Sequence, residues 1–139
     1  MTRVLRILSA LLILAALMGA DSCGKRPVGG GVDSDRPAFE RKCRKNCRTA
    51  TITAESTGPY EVFVSVDDGK GVDTHGPTPY PPEHKFEGTV TYASGTLLKI
   101  EITVQAHRSD RVSCAIVDGA KAERNGASGV TACVLTTSQ

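Results

Sequence analysis

The sequence predicts an all-β protein, a small antiparallel β-sandwich of immunoglobulin-like type, set behind an export signal and a flexible linker. Three observations carry that expectation. From about residue 49 onward apolar and polar residues alternate at period two. Turn-forming Gly, Asp and Asn punctuate the alternation at short intervals. No segment after residue 22 sustains a helical period.

Taken in order, residues 49–55 give the first and weakest alternation. Residues 60–67 (YEVFVSVD) place Tyr60, Val62, Val64 and Val66 on one face. Residues 71–83 hold Pro77, Pro79, Pro81 and Pro82, which cannot donate to a ladder from both sides, so they predict a long, proline-stiffened loop and exclude a central strand. Residues 86–92 alternate again. Residues 96–106 (TLLKIEITVQA) give the clearest case, with Leu98, Ile100, Ile102, Val104 and Ala106 on one side. Residues 112–117 and 130–136 complete the set. Asp118-Gly119 predicts a hairpin turn, because Gly accepts positive φ; Asn125-Gly126 and Ala127-Ser128-Gly129 predict the next reversal. Residues 49–139 form the predicted domain, about 90 residues and enough for one modest core.

The N-terminus has the order of a secretory signal. Arg3 and Arg6 precede the apolar run of residues 7–18 (ILSALLILAALM), which as a helix spans roughly 18 Å against the ~30 Å of a bilayer core. Arg6 and Asp21 block its extension, so residues 1–22 predict a signal peptide and not a permanent span. Gly19-Ala20-Asp21-Ser22-Cys23 resembles a bacterial lipobox, with small residues before a cysteine that is cleaved at and acylated. The alternative is ordinary cleavage before a structural cysteine. Residues 23–48 then comprise the lipid-anchor Cys23, a Gly-, Pro- and charge-rich linker, and a basic Cys-x3-Cys segment.

Cysteine parity bears on the choice. The chain has five cysteines, and in an oxidising compartment an odd thiol needs a use. Lipidation of Cys23 leaves Cys43, Cys47, Cys114 and Cys133 as an even set for disulfides, with three connectivities open. A local Cys43–Cys47 bridge predicts a helical turn, since an extended strand separates those Cα atoms by ~13 Å and a helical turn brings them within roughly 6 Å. Cys114 and Cys133 fall in neighbouring strand segments, where a bridge contributes about 2–4 kcal/mol. The cysteine spacing lacks the paired pattern of a zinc ribbon, and no metal or cofactor is expected.

Arg41, Lys42, Arg44, Lys45 and Arg48 surround the first cysteine pair. Two readings are open: attraction to anionic lipid headgroups, at about 1 kcal/mol per cation, or a solvated turn. Nucleic acid is disfavoured by export, by a net charge of only +2 and by the lack of aromatics among the basic residues. His75, His84 and His107 are dispersed. No nucleophile elbow, zinc-protease motif or phosphate-binding Gly loop is present, so no catalytic residue is assigned and no enzyme is expected.

The C-terminal third carries a family resemblance. Ser113-Cys114-Ala115-Ile116-Val117-Asp118-Gly119, then Ala127-Ser128-Gly129-Val130 and Cys133, resembles the ending of MmpS-type proteins. Tyr60-Glu61-Val62 resembles their opening strand, Gln105-Ala106 an Ala-Gln before the cysteine strand, and Pro82 to Phe86 stands where they carry a Pro-Trp pair. The likeness covers roughly residues 60–134. It implies a β-sandwich of the actinobacterial cell envelope, acting as accessory to a large proton-driven exporter of lipids or siderophores. Such proteins keep an uncleaved membrane helix where this chain has a cleavable signal and Cys23. The expectation is an extracytoplasmic lipoprotein, held at the membrane by its lipid, with an integral membrane transporter as partner; a lipid- or glycan-binding surface lipoprotein is the alternative.

Overall fold

The computed structural model describes residues 36–137. Among them lie nine strands and no helix: β1 (Ala38–Glu40), β2 (Cys47–Ser56), β3 (Tyr60–Asp67), β4 (Val72–Tyr80), β5 (Phe86–Ala93), β6 (Lys99–Ala106), β7 (Arg111–Asp118), β8 (Lys121–Ser128) and β9 (Val130–Thr136). They form two sheets of order β1-β5-β2-β7-β8 and β4-β3-β6-β9, packed as a sandwich. Every pairing is antiparallel except β1 with β5.

The alternation seen in the sequence is what builds the core. Ala50, Ile52, Ala54, Phe86, Val90, Tyr92, Val112 and Ile116 point inward from the first sheet. Val62, Val64, Val66, Ile100, Ile102, Val104 and Leu135 meet them from the second. Most of these are wholly buried, and burying each large apolar side chain is worth about 1.5–3 kcal/mol. A one-residue slip in any of these strands would turn its apolar set to solvent, so the register is tightly specified.

Four local expectations need correction. Residues 71–83 are not a loop throughout, because β4 occupies most of them as the edge of the second sheet. Prolines are tolerated there because an edge strand needs hydrogen bonds on one side only. A register shift opposite Phe63 absorbs Gly76 and Pro77, which are joined by a cis peptide bond. The Asn125-Gly126 pair does not reverse the chain; it lies inside β8, an eight-residue strand in continuous register with β7. The hairpin before it turns at Gly119 (φ 58°), and the reversal after it falls at Gly129 (φ 80°). The β region begins before residue 49, since Ala38–Glu40 already pairs with β5 and Cys47 begins β2.

The fourth correction concerns the first disulfide. Cys43 and Cys47 are bridged with Cα atoms 5.7 Å apart, as a local bond requires, but no helical turn forms. Asn46 takes a left-handed conformation instead (φ 53°), and that single residue folds the chain back sharply into β2. The second bridge joins Cys114 on β7 to Cys133 on β9, with Cα atoms 6.0 Å apart. It crosses from one sheet to the other.

Candidate functional site

Strands β1, β3, β5, β7 and β9 end, and β2, β4, β6 and β8 begin, at one end of the sandwich. Four connections lie there, and three of them are bonded to one another. The disulfide-closed segment 41–47 is bonded to the β5–β6 turn by Ser94 N–H, which donates to the Asn46 carbonyl at 2.9 Å. It is bonded to the β3–β4 hairpin through Arg41, whose guanidinium donates to the Val66 carbonyl at 2.7 Å and the Gly71 carbonyl at 3.3 Å. The same guanidinium lies 3.0 Å from Asp73 and 3.7 Å from Asp68. Backbone N–H groups of Lys70 and Gly71, with Arg41 behind them, hold the Asp68 carboxyl below the usual carboxylate range. Arg41 is therefore a structural clasp and not part of a solvated basic cluster.

Arg48 is also committed inward. Its guanidinium lies 3.3 Å from Asp118, whose side chain is almost wholly buried. Tyr92 donates to the other Asp118 oxygen at 2.5 Å. Burial, and then this hydrogen bond to a carboxylate, push the Tyr92 hydroxyl up to about 12. A buried charge needs such partners. Of the five basic residues around the first disulfide, this leaves Lys42, Arg44 and Lys45 with side chains that make no ion pair among the described residues. Lys70, on the adjacent hairpin, is likewise unpaired among them.

At the opposite end an aromatic cluster closes the core. The Tyr60 hydroxyl donates to the His84 carbonyl at 2.5 Å and accepts from the Phe86 N–H at 3.1 Å. Tyr80 stacks on His84 with ring centroids 5.3 Å apart, and His75 packs on Phe86 at 6.2 Å. His75 and His84 thus converge on one cluster, while His107 bonds Ser109 in the β6–β7 turn. Burial pushes the His75 imidazole below its ordinary 6.5. Among the described residues no group of three or more His, Cys, Asp or Glu could hold a metal ion.

Two open depressions of about 550 and 590 Å³ lie on the first sheet around Glu55, Ser113 and Gly126. Their floor is low because Ser113 and Gly126 are opposite one another in the β7–β8 register. A third, about 350 Å³, adjoins Pro79 and Tyr80 at the end of β4.

Cys23 and the signal peptide lie outside the described residues. Within them, Cys43 pairs with Cys47 and Cys114 with Cys133, so the three open connectivities reduce to one. Sequence reasoning missed the inward roles of Arg41 and Arg48. It also missed that Asp118 continues the buried face of Val112, Cys114 and Ile116, although the period-two pattern contains that information. Together these features define a disulfide-stapled β-sandwich with four unpaired cations gathered on adjoining connections at one end. No protein family, curated protein or solved structure matches the chain.

Proposed function

We propose that this protein is a membrane-anchored extracytoplasmic lipoprotein whose sandwich serves as a non-enzymatic accessory domain for an integral membrane protein. The supporting observation is cysteine use: all four cysteines of residues 36–137 are bridged, which leaves Cys23 as the odd one. Disulfides suit an oxidising compartment, and acylation gives the fifth cysteine a chemical role. The likeness of residues 60–134 to MmpS-type proteins favours an exporter of envelope lipids or siderophores as the partner.

The sandwich offers a means of docking. β8 pairs with β7 on one side only, and its eight residues are exposed on both faces. Such an edge accepts a further strand by main-chain hydrogen bonding. The neighbouring edge of β9 is partly blocked, because Asn125 donates its side-chain amide to the Ala132 carbonyl at 3.1 Å.

Intact mass of the membrane fraction should show loss of residues 1–22 and a diacylglycerol increment on Cys23. A photo-crosslinker placed at Ala122 should then capture an integral membrane protein. A mature chain with an unmodified Cys23 rejects the anchor, and repeated recovery of uncrosslinked protein from envelope rejects the partner. A second reading, a glycan- or lipid-binding surface lipoprotein, is favoured by the depressions over Ser113 and Gly126, whose volumes fall in the range of ligand sites.

A further inference from the structure

We infer that the cation-bearing end of the sandwich docks flat against an anionic lipid bilayer, with Leu97 and Val72 entering the headgroup layer. The inference rests on the reading of the protein as membrane-anchored and adds the orientation the domain takes there.

The end combines the two features of an interfacial surface, cations and exposed apolar side chains. Lys42, Arg44 and Lys45 stand on a segment closed by the Cys43–Cys47 bridge, and Lys70 stands on the hairpin tip beside it. Leu97, in the β5–β6 turn, is 62 % exposed, and Val72, at the start of β4, is 58 % exposed. These two are the most exposed large aliphatics among the described residues, and both occur at this end. The connections are held together by the Ser94–Asn46 bond and by Arg41, so the cations and aliphatics form one surface.

Charge complementarity selects the occupant. Asp68 and Asp73 share the single charge of Arg41, and Asp118 is buried between Arg48 and Tyr92, so the two guanidinium groups offset two of these three acidic charges. The third, with Glu40 and Asp67, stands against the unpaired Lys42, Arg44, Lys45 and Lys70, so the cations still outnumber the acids, and Asp67 already accepts the Gly69 N–H. A protein groove would have to be acidic and apolar together. A bilayer of anionic lipids presents both as a plane, and the basic residues here lie on the adjoining β1–β2 and β3–β4 connections.

The chain carries no tryptophan, so Leu97→Trp provides a single fluorescent reporter. The mature, processed variant is reconstituted on phosphatidylglycerol vesicles and, separately, on phosphatidylcholine vesicles. On phosphatidylglycerol, emission from the introduced indole should shift to the blue and be quenched by brominated acyl chains. High salt should reverse the effect, since the Debye length contracts from ~8 Å to ~3 Å at 1 M. Changing Lys42, Arg44 and Lys45 together to Gln should lower the docking equilibrium constant about a hundredfold, roughly fivefold per cation. These side chains are exposed and unpaired, so the fold stays intact.

If the protein floats with vesicles while the reporter indole remains open to aqueous iodide, the orientation is overturned and the anchor stands. If mass analysis finds Cys23 unmodified yet the protein still binds phosphatidylglycerol in a salt-sensitive way, the anchor is overturned and the docking surface stands. Equal quenching on both lipids, unaffected by the triple substitution, also overturns the inference.

Discussion

Tyr92, Asp118 and Arg48 show how one buried carboxylate is made tolerable. Asp118 sits at the end of β7, where the strand's alternation delivers it to the core, and Arg48 from the adjacent β2 and Tyr92 from β5 meet its oxygens. Tyr92→Phe removes a hydrogen bond to a charged acceptor and should destabilise by about 1–3 kcal/mol, read from chemical denaturation. The pH dependence follows from the raised tyrosine. Its folded value is about 12 against an ordinary 10.0, so the unfolded state loses its proton first. This contribution is fully present below pH 10.0 and is lost as pH rises from there towards about 12. The alkaline loss should shrink in Tyr92→Phe. An undiminished loss would place its origin elsewhere. His75 acts on the acid side. Its folded value is depressed by burial, so its contribution is full above 6.5 and falls as pH drops below that. His75→Gln should flatten melting temperature against pH in that window.

Among the elements, the strands with one buried face were legible and the others were not. β3, β6, β7 and β9 declared themselves because burial imposes period two on their sequences. β8 (KAERNGAS) escaped for a physical reason: nothing covers either face, so no hydrophobic pattern is imposed, and Asn-Gly resembles a turn. β4 escaped because its prolines sit on an edge, where a missing N–H costs no ladder bond. The cation-bearing end was legible as composition only. The sequence cannot show which of the five cations fold inward, since that depends on Asp73 and Asp118 arriving from distant strands. The elements also rank the two disulfides. The Cys114–Cys133 bridge closes a longer loop and spans the sheets, so its removal should cost about 3 kcal/mol, against about 2 for Cys43–Cys47. Paired Cys→Ala variants compared by urea midpoint test the order. Gly76→Ala should be more damaging than its place on an edge strand suggests. A Cβ there would lie 2.1 Å from the Val62 carbonyl oxygen, at a φ of 92° that side chains avoid, so β4 should lose its amide-exchange protection while β6 keeps its own.

For the molecule as a whole, the asymmetry between the ends of the sandwich matters more than the net charge of +2. One end carries four unpaired cations together with the two most exposed aliphatics; the other carries the tyrosine and histidine cluster, with Arg108 and Arg111 exposed in and after the β6–β7 turn. On the proposed docking, a domain lying on the first would hold the β8 edge upright beside the bilayer, where the proposed membrane partner could add a strand.

The Cys43–Cys47 bridge has a mechanical consequence in such a setting. It lies between β1, a three-residue strand at a sheet edge, and β2, which is flanked by β5 and β7. Tension drawn along the N-terminal chain meets β1 first, with its three residue pairs, and then the contacts of Arg41 to the β3–β4 hairpin. The pull then passes through sulfur directly into Cys47, and residues 44–46 stay slack. Extended, that stretch would reach roughly 14 Å against the 5.7 Å the bridge permits. Under a reductant, single-molecule pulling should therefore gain a short early extension step that the oxidised protein lacks. The bond acts as a strain relief, carrying a pull on the N-terminal side into an interior strand of the sheet.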